Sequence, residues 1–540
     1  MVNRVGARYF TQYPFLINAL LSIGAGVALW LAAAPHGMWY LIPVGIGALW
    51  LAVHGQRWGR AGLWGTVAGF TYFYLLFDWA QAATNALVPR IALAGIEALF
   101  LGLTAIIWAG LWRGAWRIGH SLTTLLALIL SALAWVGVEE IRAMWPFGGL
   151  PWGIVGYSLV SSPFVKLAPL GSTQLVGAVI ALVGIMLGAS AAYLFRLKLI
   201  RSVLSLVTAG VIALVVAIMP LAMPESQGSL QVGIVQGNTP TIDLAPDAQW
   251  ATTTLTNHVS ATETIADQQP DLVLWPESAS ERDMRVDDES AALVQQALNA
   301  VNVPILLGTQ NYFKSENGDS QRLNDYVVAY PAGIEEGSVS EPYSKQHPVP
   351  FGEYMPYRDF FRTLSSLVDL VPIDMIPGTT PATLSVTLAD GSKVSVATPI
   401  CFEVAYTGIV TEGALASDFI VVPTSNATFD TSNEAFQQFD MTRFRAVETG
   451  REAIQVSNMG TSGLVHPNGT VEYSTDLWTV DSRVVTVERY TDATLAMTTI
   501  AERTRATLIV FGVSLVLGIA GLFAARQRFY VDGDLASIGI

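Results

Sequence analysis

The stretch Thr398-Pro399-Ile400-Cys401-Phe402-Glu403 closes an apolar run at 394–399 and contains the only cysteine among the 540 residues of the chain. This pattern predicts a buried strand that ends close to the thiol and is followed by a helix. A cysteine at such a turn has its thiolate favoured by the helix N-terminus and by any neighbouring ammonium group. A lone cysteine is more often a small buried hydrophobic residue, so neighbouring motifs must decide between the two interpretations.

Two further motifs place charged side chains just after predicted strands. Leu274-Trp275-Pro276-Glu277-Ser278 puts a carboxylate after an apolar run. Tyr343-Ser344-Lys345-Gln346-His347-Pro348-Val349-Pro350-Phe351-Gly352-Glu353 puts a lysine in a polar loop that also holds a second carboxylate. Acyl transfer through a thiol requires a base for the thiol proton and a cation or N–H donor for the developing oxyanion. The sequence therefore predicts Cys401 as nucleophile, Glu277 as base and Lys345 as electrostatic partner.

Three residues next to this group are predicted to support it. The backbone N–H of Phe402, at the start of the predicted helix, is a second donor for the oxyanion. Glu353 and Glu403 are expected to orient Lys345 without touching the substrate. Each motif alone has an ordinary interpretation, since a glutamate after a strand is often solvated and a lysine in a loop usually lies at the surface. The combination of the three motifs favours a catalytic site over these ordinary interpretations.

Residues 225–500 alternate short apolar runs with amphipathic stretches, which is typical of a layered α/β domain. The predicted strands are 230–235, 272–275, 304–307, 325–330, 394–399, 419–423 and 454–456. The predicted helices are 250–267, 291–300 and 434–452, and Trp250 is included among the candidate supporting residues. Catalytic groups in such domains lie on loops at strand ends, which is where Glu277 and Cys401 are found.

The rest of the chain consists mainly of apolar runs long enough to cross a bilayer, about 20 residues each. They lie near 15–34, 38–53, 61–80, 91–112, 121–140, 170–195, 199–220 and 507–525. We therefore predict a membrane domain over 1–224 with seven spans, and a C-terminal span and tail over 501–540. Glu97 in the fourth run has either a functional role or a role in helix pairing. The aromatic loop 144–153 is either an interfacial belt or a re-entrant element beside a bilayer-facing site.

Charge divides the chain in the same way and predicts its orientation. Residues 1–224 contain 12 lysine and arginine residues against 4 aspartate and glutamate residues, whereas 225–506 contain 15 against 37. The acidic part argues against a nucleic-acid partner. If the N-terminus is cytoplasmic, inside segments hold 11 basic residues, Arg4 and Arg8 among them, and outside loops hold 3. This bias predicts a multi-pass protein with both termini cytoplasmic and the α/β domain outside.

The order WPES, YSKQHPVPFGE and ICFE resembles the nitrilase superfamily of carbon–nitrogen hydrolases. The resemblance implies an α-β-β-α sandwich with a catalytic triad at Glu277, Lys345 and Cys401 and an additional glutamate at Glu353. It also implies site roles for Asn324 and Asn426. The flanking spans narrow the resemblance to the apolipoprotein N-acyltransferases of the bacterial cytoplasmic membrane.

That resemblance implies a ping-pong reaction without a metal or other cofactor. Cys401 is expected to take an acyl chain from a membrane phospholipid as a thioester, and the sn-1 chain is the expected donor. The acceptor is then the N-terminal amine of a diacylglyceryl-cysteine apolipoprotein, and the product is a triacylated lipoprotein. Acyl chains are costly to withdraw from lipid, so the apolar segments 354–361 and 364–376 are expected to meet the bilayer. A packed surface helix is the alternative for the second segment.

Two departures from the family pattern and two rival functions belong to this interpretation. Phe402 stands where the family often has tyrosine, and Ala427-Thr428-Phe429 stands where it often has Asp-Ala-Trp-Phe. One rival function is a membrane-tethered amidase or nitrilase that acts on a small amide. The other is a transporter or receptor with an inactive sensor domain, against which the intact triad residues argue.

Overall fold

The computed structural model describes residues 15–118, 121–240, 248–334 and 338–537. It divides into two units: Met1–Gln81, Ala86–Pro220 and Ala501–Ile540 form the first, and Ala82–Asn85 with Leu221–Ile500 form the second. Residues 1–14, which include Arg4 and Arg8 of the orientation prediction, lie outside the described residues. The three units of the sequence-based division, 1–224, 225–500 and 501–540, stay a prediction.

The first unit is helical. Its helices are α1 (Phe15–Ala32), α2 (Leu41–Val53), α3 (Trp58–Leu76), α4 (Asp78–Ala82), α5 (Leu87–Ile118), α6 (Ser121–Arg142), α7 (Ala168–Leu194), α8 (Leu199–Ile218) and the later Ile500–Ser537. Every predicted span overlaps one of these helices. Among the described residues, six helices are long and apolar enough to cross a membrane, and α2 is a shorter apolar helix. A helical membrane part is therefore confirmed, while the number of eight spans stays a prediction.

Glu97 lies on α5 and forms a buried ion pair with Arg142, the last residue of α6. The Arg142 Nη1 atom is 3.0 Å from a Glu97 carboxylate oxygen, and both side chains are almost fully buried. The same nitrogen donates to the carbonyl oxygens of Leu150 (2.8 Å) and Trp152 (2.7 Å) in the aromatic loop. These contacts favour the helix-pairing interpretation of Glu97, because Arg142 joins both helices and the loop.

Replacing Arg142 with methionine is expected to destabilise the first unit strongly. Removal of one partner leaves the Glu97 carboxylate buried without its cation, a loss of about 3–5 kcal/mol. The measurement is thermal unfolding of the purified protein in detergent. The control is Arg201→Met, which removes an exposed arginine from α8 of the same unit. Equal melting temperatures for the two variants would contradict the prediction.

The second unit contains two β-sheets. In chain order the strands are β1 (Ser229–Gln236), β2 (Leu272–Leu274), β3 (Ile305–Lys314), β4 (Ser320–Ala329), β5 (Tyr343–Ser344), β6 (Asp374–Met375), β7 (Thr383–Thr387), β8 (Lys393–Ala397), β9 (Phe419–Thr424), β10 (Ala453–Ser457), β11 (Gly463–Val465), β12 (Val471–Ser474) and β13 (Asp481–Glu488). The first sheet has the order β13-β1-β2-β3-β4-β5, with β6 beside β4. The second has the order β12-β11-β10-β9-β8-β7. In each sheet, parallel pairs at the centre are flanked by antiparallel pairs.

The two sheets face each other and helices cover their outer faces. One apolar cluster joins Val232 and Leu274 of the first sheet to Val396 and Val421 of the second. The helices of this unit are α9 (Ala248–Glu263), α10 (Asp288–Val301), α11 (Arg358–Leu364), α12 (Thr407–Leu415), α13 (Glu434–Thr449) and α14 (Leu495–Thr498). A second cluster packs α9 and α10 against the first sheet, while α12 and α13 contact the second. The predicted α-β-β-α sandwich is confirmed.

Candidate active site

Cys401 lies at a sharp turn after β8. Its φ is +53°, a left-handed conformation that side chains other than glycine adopt rarely and often at functional sites. The strand ends at Ala397, two residues before its predicted end. The predicted helix after it is a 3-10 helix of five residues, Cys401–Ala405. So short a helix has a small dipole, so the expected stabilisation of the thiolate by a helix N-terminus is weak here.

Glu277 follows β2 and is held in place through both its carboxylate and its backbone. Asn324 Nδ2 donates to Oε1 at 2.6 Å, and the backbone N–H of Ser425 donates to Oε2 at 2.8 Å. Asn458 Nδ2 donates to the backbone carbonyl of Glu277 at 2.8 Å. Residues on or directly after strands of both sheets therefore hold Glu277 in place.

Lys345 is fully buried between two carboxylates. Its Nζ atom is 2.6 Å from Glu353 Oε1 and 3.3 Å from Glu277 Oε1. Burial alone would lower the pKa of Lys345, but the charges of Glu277, Glu353 and Cys401 raise it above the ordinary value. Lys345 is therefore a permanent ammonium group, suited to stabilise negative charge on a reacting oxygen.

The Cys401 thiol is neutral at rest. Burial raises its pKa, and the negative charges of Glu277 and Glu434 raise it further, while Lys345 opposes them. A neutral thiol is a weak nucleophile. The site therefore requires a base to take the proton as the sulfur reacts, and Glu277 is the carboxylate whose charge raises the pKa of the thiol most.

Glu403 contacts the loop that carries Lys345. Its Oε1 atom accepts the backbone N–H groups of the two residues after Lys345, at 2.6 and 2.9 Å. Its Oε2 atom accepts the N–H of Ile400 at 2.7 Å and the hydroxyl of Tyr343 at 2.8 Å. Burial raises the pKa of Glu403 to about 7, against the opposing effect of these donors and of Lys345. Glu403 thus connects the two residues that follow Lys345 with the residue that precedes Cys401, through their backbone N–H groups.

The remaining predicted residues divide between the site and its surroundings. The Phe402 ring packs edge-on against Tyr406, with 5.3 Å between ring centroids. Asn426 belongs to a buried hydrogen-bond network next to Cys401, and its amide nitrogen donates to Glu434 at 2.7 Å. Trp250 lies on α9, where its indole N–H donates to the carbonyl oxygen of Pro240 at 3.3 Å.

Sequence reasoning missed one residue that contacts the Cys401 sulfur. Gln438 on α13 donates from Nε2 to Cys401 Sγ at 3.5 Å. The apolar stripe of α13, which includes Phe439 and Phe444, indicates packing and not a polar contact with Cys401. The available signal was a polar residue within the buried face of that helix, since Gln438 itself is fully buried.

Comparison with known proteins assigns the chain to a family. The family model described as the apolipoprotein N-acyltransferase N-terminal domain matches residues 25–186. An apolipoprotein N-acyltransferase of Pseudomonas paraeruginosa is 31% identical over 479 residues, which cover 84% of this chain and 86% of the relative. The chain belongs to the apolipoprotein N-acyltransferase family. The corresponding protein of Mycolicibacterium smegmatis is 30% identical over 473 residues, which cover 83% of this chain and 76% of the relative.

Membership of the apolipoprotein N-acyltransferase family makes this chain a membrane-associated acyltransferase. The family match begins in the helical unit, and the relatives extend it over most of the chain. Neither rival function, the amidase or the inactive sensor, is favoured by these relatives. Among solved structures, a variant of the Nesterenkonia AN1 amidase from the nitrilase superfamily is 17% identical, with a TM-score of 0.36, and covers 53% of this chain and 98% of the amidase.

Proposed function

We propose that this chain transfers an acyl chain from a membrane phospholipid, through a thioester on Cys401, to the N-terminal amine of a diacylglyceryl-cysteine lipoprotein. One observation carries the proposal. A fully buried lysine lies between two carboxylates and interacts electrostatically with the single thiol of the chain. This arrangement combines a base, a cation and a nucleophile, which are the groups that acyl transfer requires.

In the first half-reaction, Cys401 attacks the ester carbonyl carbon of the phospholipid while Glu277 accepts the thiol proton. The Lys345 ammonium group stabilises the negative oxygen of the tetrahedral intermediate. The bond between the carbonyl carbon and the glycerol oxygen then breaks. Glu277 returns its proton to that oxygen, so a lysophospholipid leaves and the acyl chain stays on the sulfur.

In the second half-reaction, the lipoprotein amine attacks the thioester carbonyl. Glu277 accepts a proton from the amine nitrogen, and Lys345 again stabilises the oxyanion. The carbon–sulfur bond breaks, an amide forms, and the proton passes to the departing sulfur of Cys401. A thioester is activated toward amines, so dividing the transfer into two steps makes each step easier.

Lipid access to this site is supported by an exposed apolar segment that follows Glu353. Met355, Val368 and Val371 pack together beneath the segment. Its outer side exposes large apolar side chains, namely those of Tyr357, Phe360, Leu364 and Leu370. The segment thus has one packed face and one open face. We infer that the open face contacts lipid, since an exposed apolar patch next to a catalytic group is suited to a ligand with acyl chains.

The proposed topology follows the charge bias. The second unit lies outside the cytoplasm, and both termini lie inside, because basic residues accumulate in the loops assigned to the cytoplasm. A reporter or cysteine-labelling map of the loops tests this orientation. The only cysteine of the wild-type chain is buried. Labelling of a cysteine introduced into a loop therefore reports the side of the membrane on which that loop lies, with little labelling of Cys401.

The test of function uses purified protein, a phospholipid with a labelled acyl chain and a diacylglyceryl-cysteine peptide with a free N-terminal amine. Without peptide, mass spectrometry is expected to find the labelled acyl group on the Cys401-containing peptide of the enzyme, together with lysophospholipid. Addition of the acceptor is expected to remove this adduct and give an N-acylated peptide.

A second acceptor peptide with an acetylated amine is the matched control, and it is expected to leave the thioester in place. Release of the label as free fatty acid, at the same rate with either peptide, would identify a hydrolase instead. Absence of any adduct on Cys401 in the presence of donor alone would overturn the proposed mechanism.

A further inference from the structure

Gln438 contacts the sulfur of the nucleophile and has no part in the mechanism given above. Its side-chain amide is fully buried on α13, and Nε2 lies 3.5 Å from Cys401 Sγ. We propose that Gln438 is a further catalytic residue, whose amide N–H binds the Cys401 thiolate. The inference rests on Cys401 being the nucleophile of the proposed function.

The orientation of this amide is determined by its neighbours. An ionised carboxylate only accepts hydrogen bonds, so Glu434 requires the nitrogen of the Asn426 amide to face it, at 2.7 Å. The Asn426 nitrogen has a second hydrogen, which it donates to Gln438 Oε1 at 2.9 Å. The Asn426 oxygen accepts the hydroxyl of Ser457 at 2.6 Å. Because Gln438 must present its oxygen to Asn426, its NH₂ group points toward the sulfur.

The Thr424 hydroxyl also lies beside the sulfur, and it has a single hydrogen. Thr424 donates that hydrogen to Gln438 Oε1 at 2.8 Å. Its one hydrogen therefore has two acceptors within reach, Gln438 Oε1 and the sulfur, and the hydrogen bond to the sulfur lowers the pKa of Cys401. The Gln438 amide differs from Thr424 because its nitrogen donates to the sulfur without giving up any bond made by Gln438 Oε1.

A hydrogen-bond donor to the sulfur acts in both half-reactions, when the thiolate attacks and when it leaves. A thiolate accepts a hydrogen bond far better than the sulfur of a thiol or thioester, because the bond is charge-assisted. The Gln438 amide therefore stabilises the negative sulfur that attacks the phospholipid ester. It also stabilises the same sulfur when it leaves the thioester after the amine attacks. Glu277 moves the proton, Lys345 stabilises the oxyanion, and Gln438 stabilises the sulfur.

The test measures thiolate formation directly, without the acyl-transfer assay. The second-order rate of alkylation of Cys401, the only thiol of the full-length protein, by iodoacetamide is measured from pH 6 to 10 by mass spectrometry of the Cys401-containing peptide. Gln438→Met keeps the volume of the side chain and removes the donor. Loss of a hydrogen bond to the charged form raises a pKa. The profile of this variant is therefore expected to shift by about one pH unit toward alkaline pH, with about tenfold slower alkylation at a fixed pH.

The other charged groups that face the sulfur are Glu277, Lys345 and Glu434, and all are unchanged in this variant. Gln455→Met is the matched control, because Gln455 is an equally buried glutamine that bonds Thr442 and the Thr461 carbonyl instead. Its alkylation profile is expected to match the wild type. Identical profiles for Gln438→Met, Gln455→Met and wild type would overturn the proposal.

If Gln438→Met fails to fold, two polar variants test whether the N–H donor at this position stabilises the thiolate. Gln438→His retains an N–H donor and is expected to keep the profile near wild type, whereas Gln438→Glu replaces the donor with a carboxylate and is expected to shift it further toward alkaline pH. Equal profiles for these two variants would overturn the role of the donor. A shifted profile in a protein that transfers no acyl chain would contradict the proposed function and leave the Gln438–sulfur interaction intact.

Discussion

Replacing Lys345 with methionine is expected to abolish thioester formation and to destabilise the second unit. Methionine fills the space of the lysine but leaves the Glu277 and Glu353 carboxylates without the ammonium group that lies between them. Loss of a preorganised charge at the oxyanion lowers the rate by about 10²–10³-fold. Loss of the buried cation, whose side chain is fully shielded from solvent, costs about 3–5 kcal/mol of stability.

Two measurements separate these effects. Single-turnover formation of the labelled acyl adduct reports the chemistry, with Cys401→Ala as the baseline, and thermal unfolding reports the stability. Lys314→Met removes an exposed lysine from β3 of the same unit and is expected to change neither. An Lys345→Met variant that forms the adduct at the wild-type rate would remove Lys345 from the mechanism.

The sequence allowed the central strands of the sandwich to be predicted because they are buried on both faces. The prediction 419–423 corresponds to Phe419–Thr424, and 454–456 to Ala453–Ser457. Both strands are buried along their whole length and mainly apolar, with Gln455 as a polar exception, so composition identifies most of each strand. Helix α13 was found for a related reason, since its buried face repeats with helical spacing.

Strands with a solvated face were harder to predict. The prediction 304–307 covers only the start of Ile305–Lys314, because burial ends after Gln310 and the rest of this strand alternates partly buried and exposed residues. The edge strand Asp481–Glu488, which pairs with β1, was missed. Half-exposed strands have a weaker sequence pattern, and their pairing depends on distant residues that a local pattern does not reveal.

The catalytic motifs followed from the sequence, but the hydrogen bonds that organise them did not. Glu277, Lys345 and Cys401 each follow a strand or a strand end, which is a local property. The contact between Gln438 and Cys401 joins residues 37 positions apart, and Asn458 reaches Glu277 from 181 positions away. These contacts depend on how the two sheets pack, and polar residues on predicted helices and turns gave little indication of their partners.

Replacing Glu277 with glutamine is expected to slow acyl-adduct formation by about 10²–10⁴-fold, the contribution typical of a general base. The neutral thiol then has no group that takes its proton as it attacks. Because the burial-raised pKa of Cys401 keeps the thiol protonated near neutral pH, the residual rate is expected to rise with pH as thiolate forms without assistance. The wild-type rate is expected to depend less steeply on pH over the same range.

This substitution also tests how the Glu277 carboxylate is held. Its two oxygens accept hydrogen bonds from Asn324, Ser425 and Lys345, whereas a glutamine offers one oxygen and an NH₂ group. At least one donor therefore loses its acceptor, which costs about 1–3 kcal/mol and is measured by thermal unfolding. Glu412→Gln, at an exposed position on α12, is the control for both measurements. If Glu277→Gln formed the adduct at the wild-type rate with an unchanged pH profile, another group would have to accept the thiol proton.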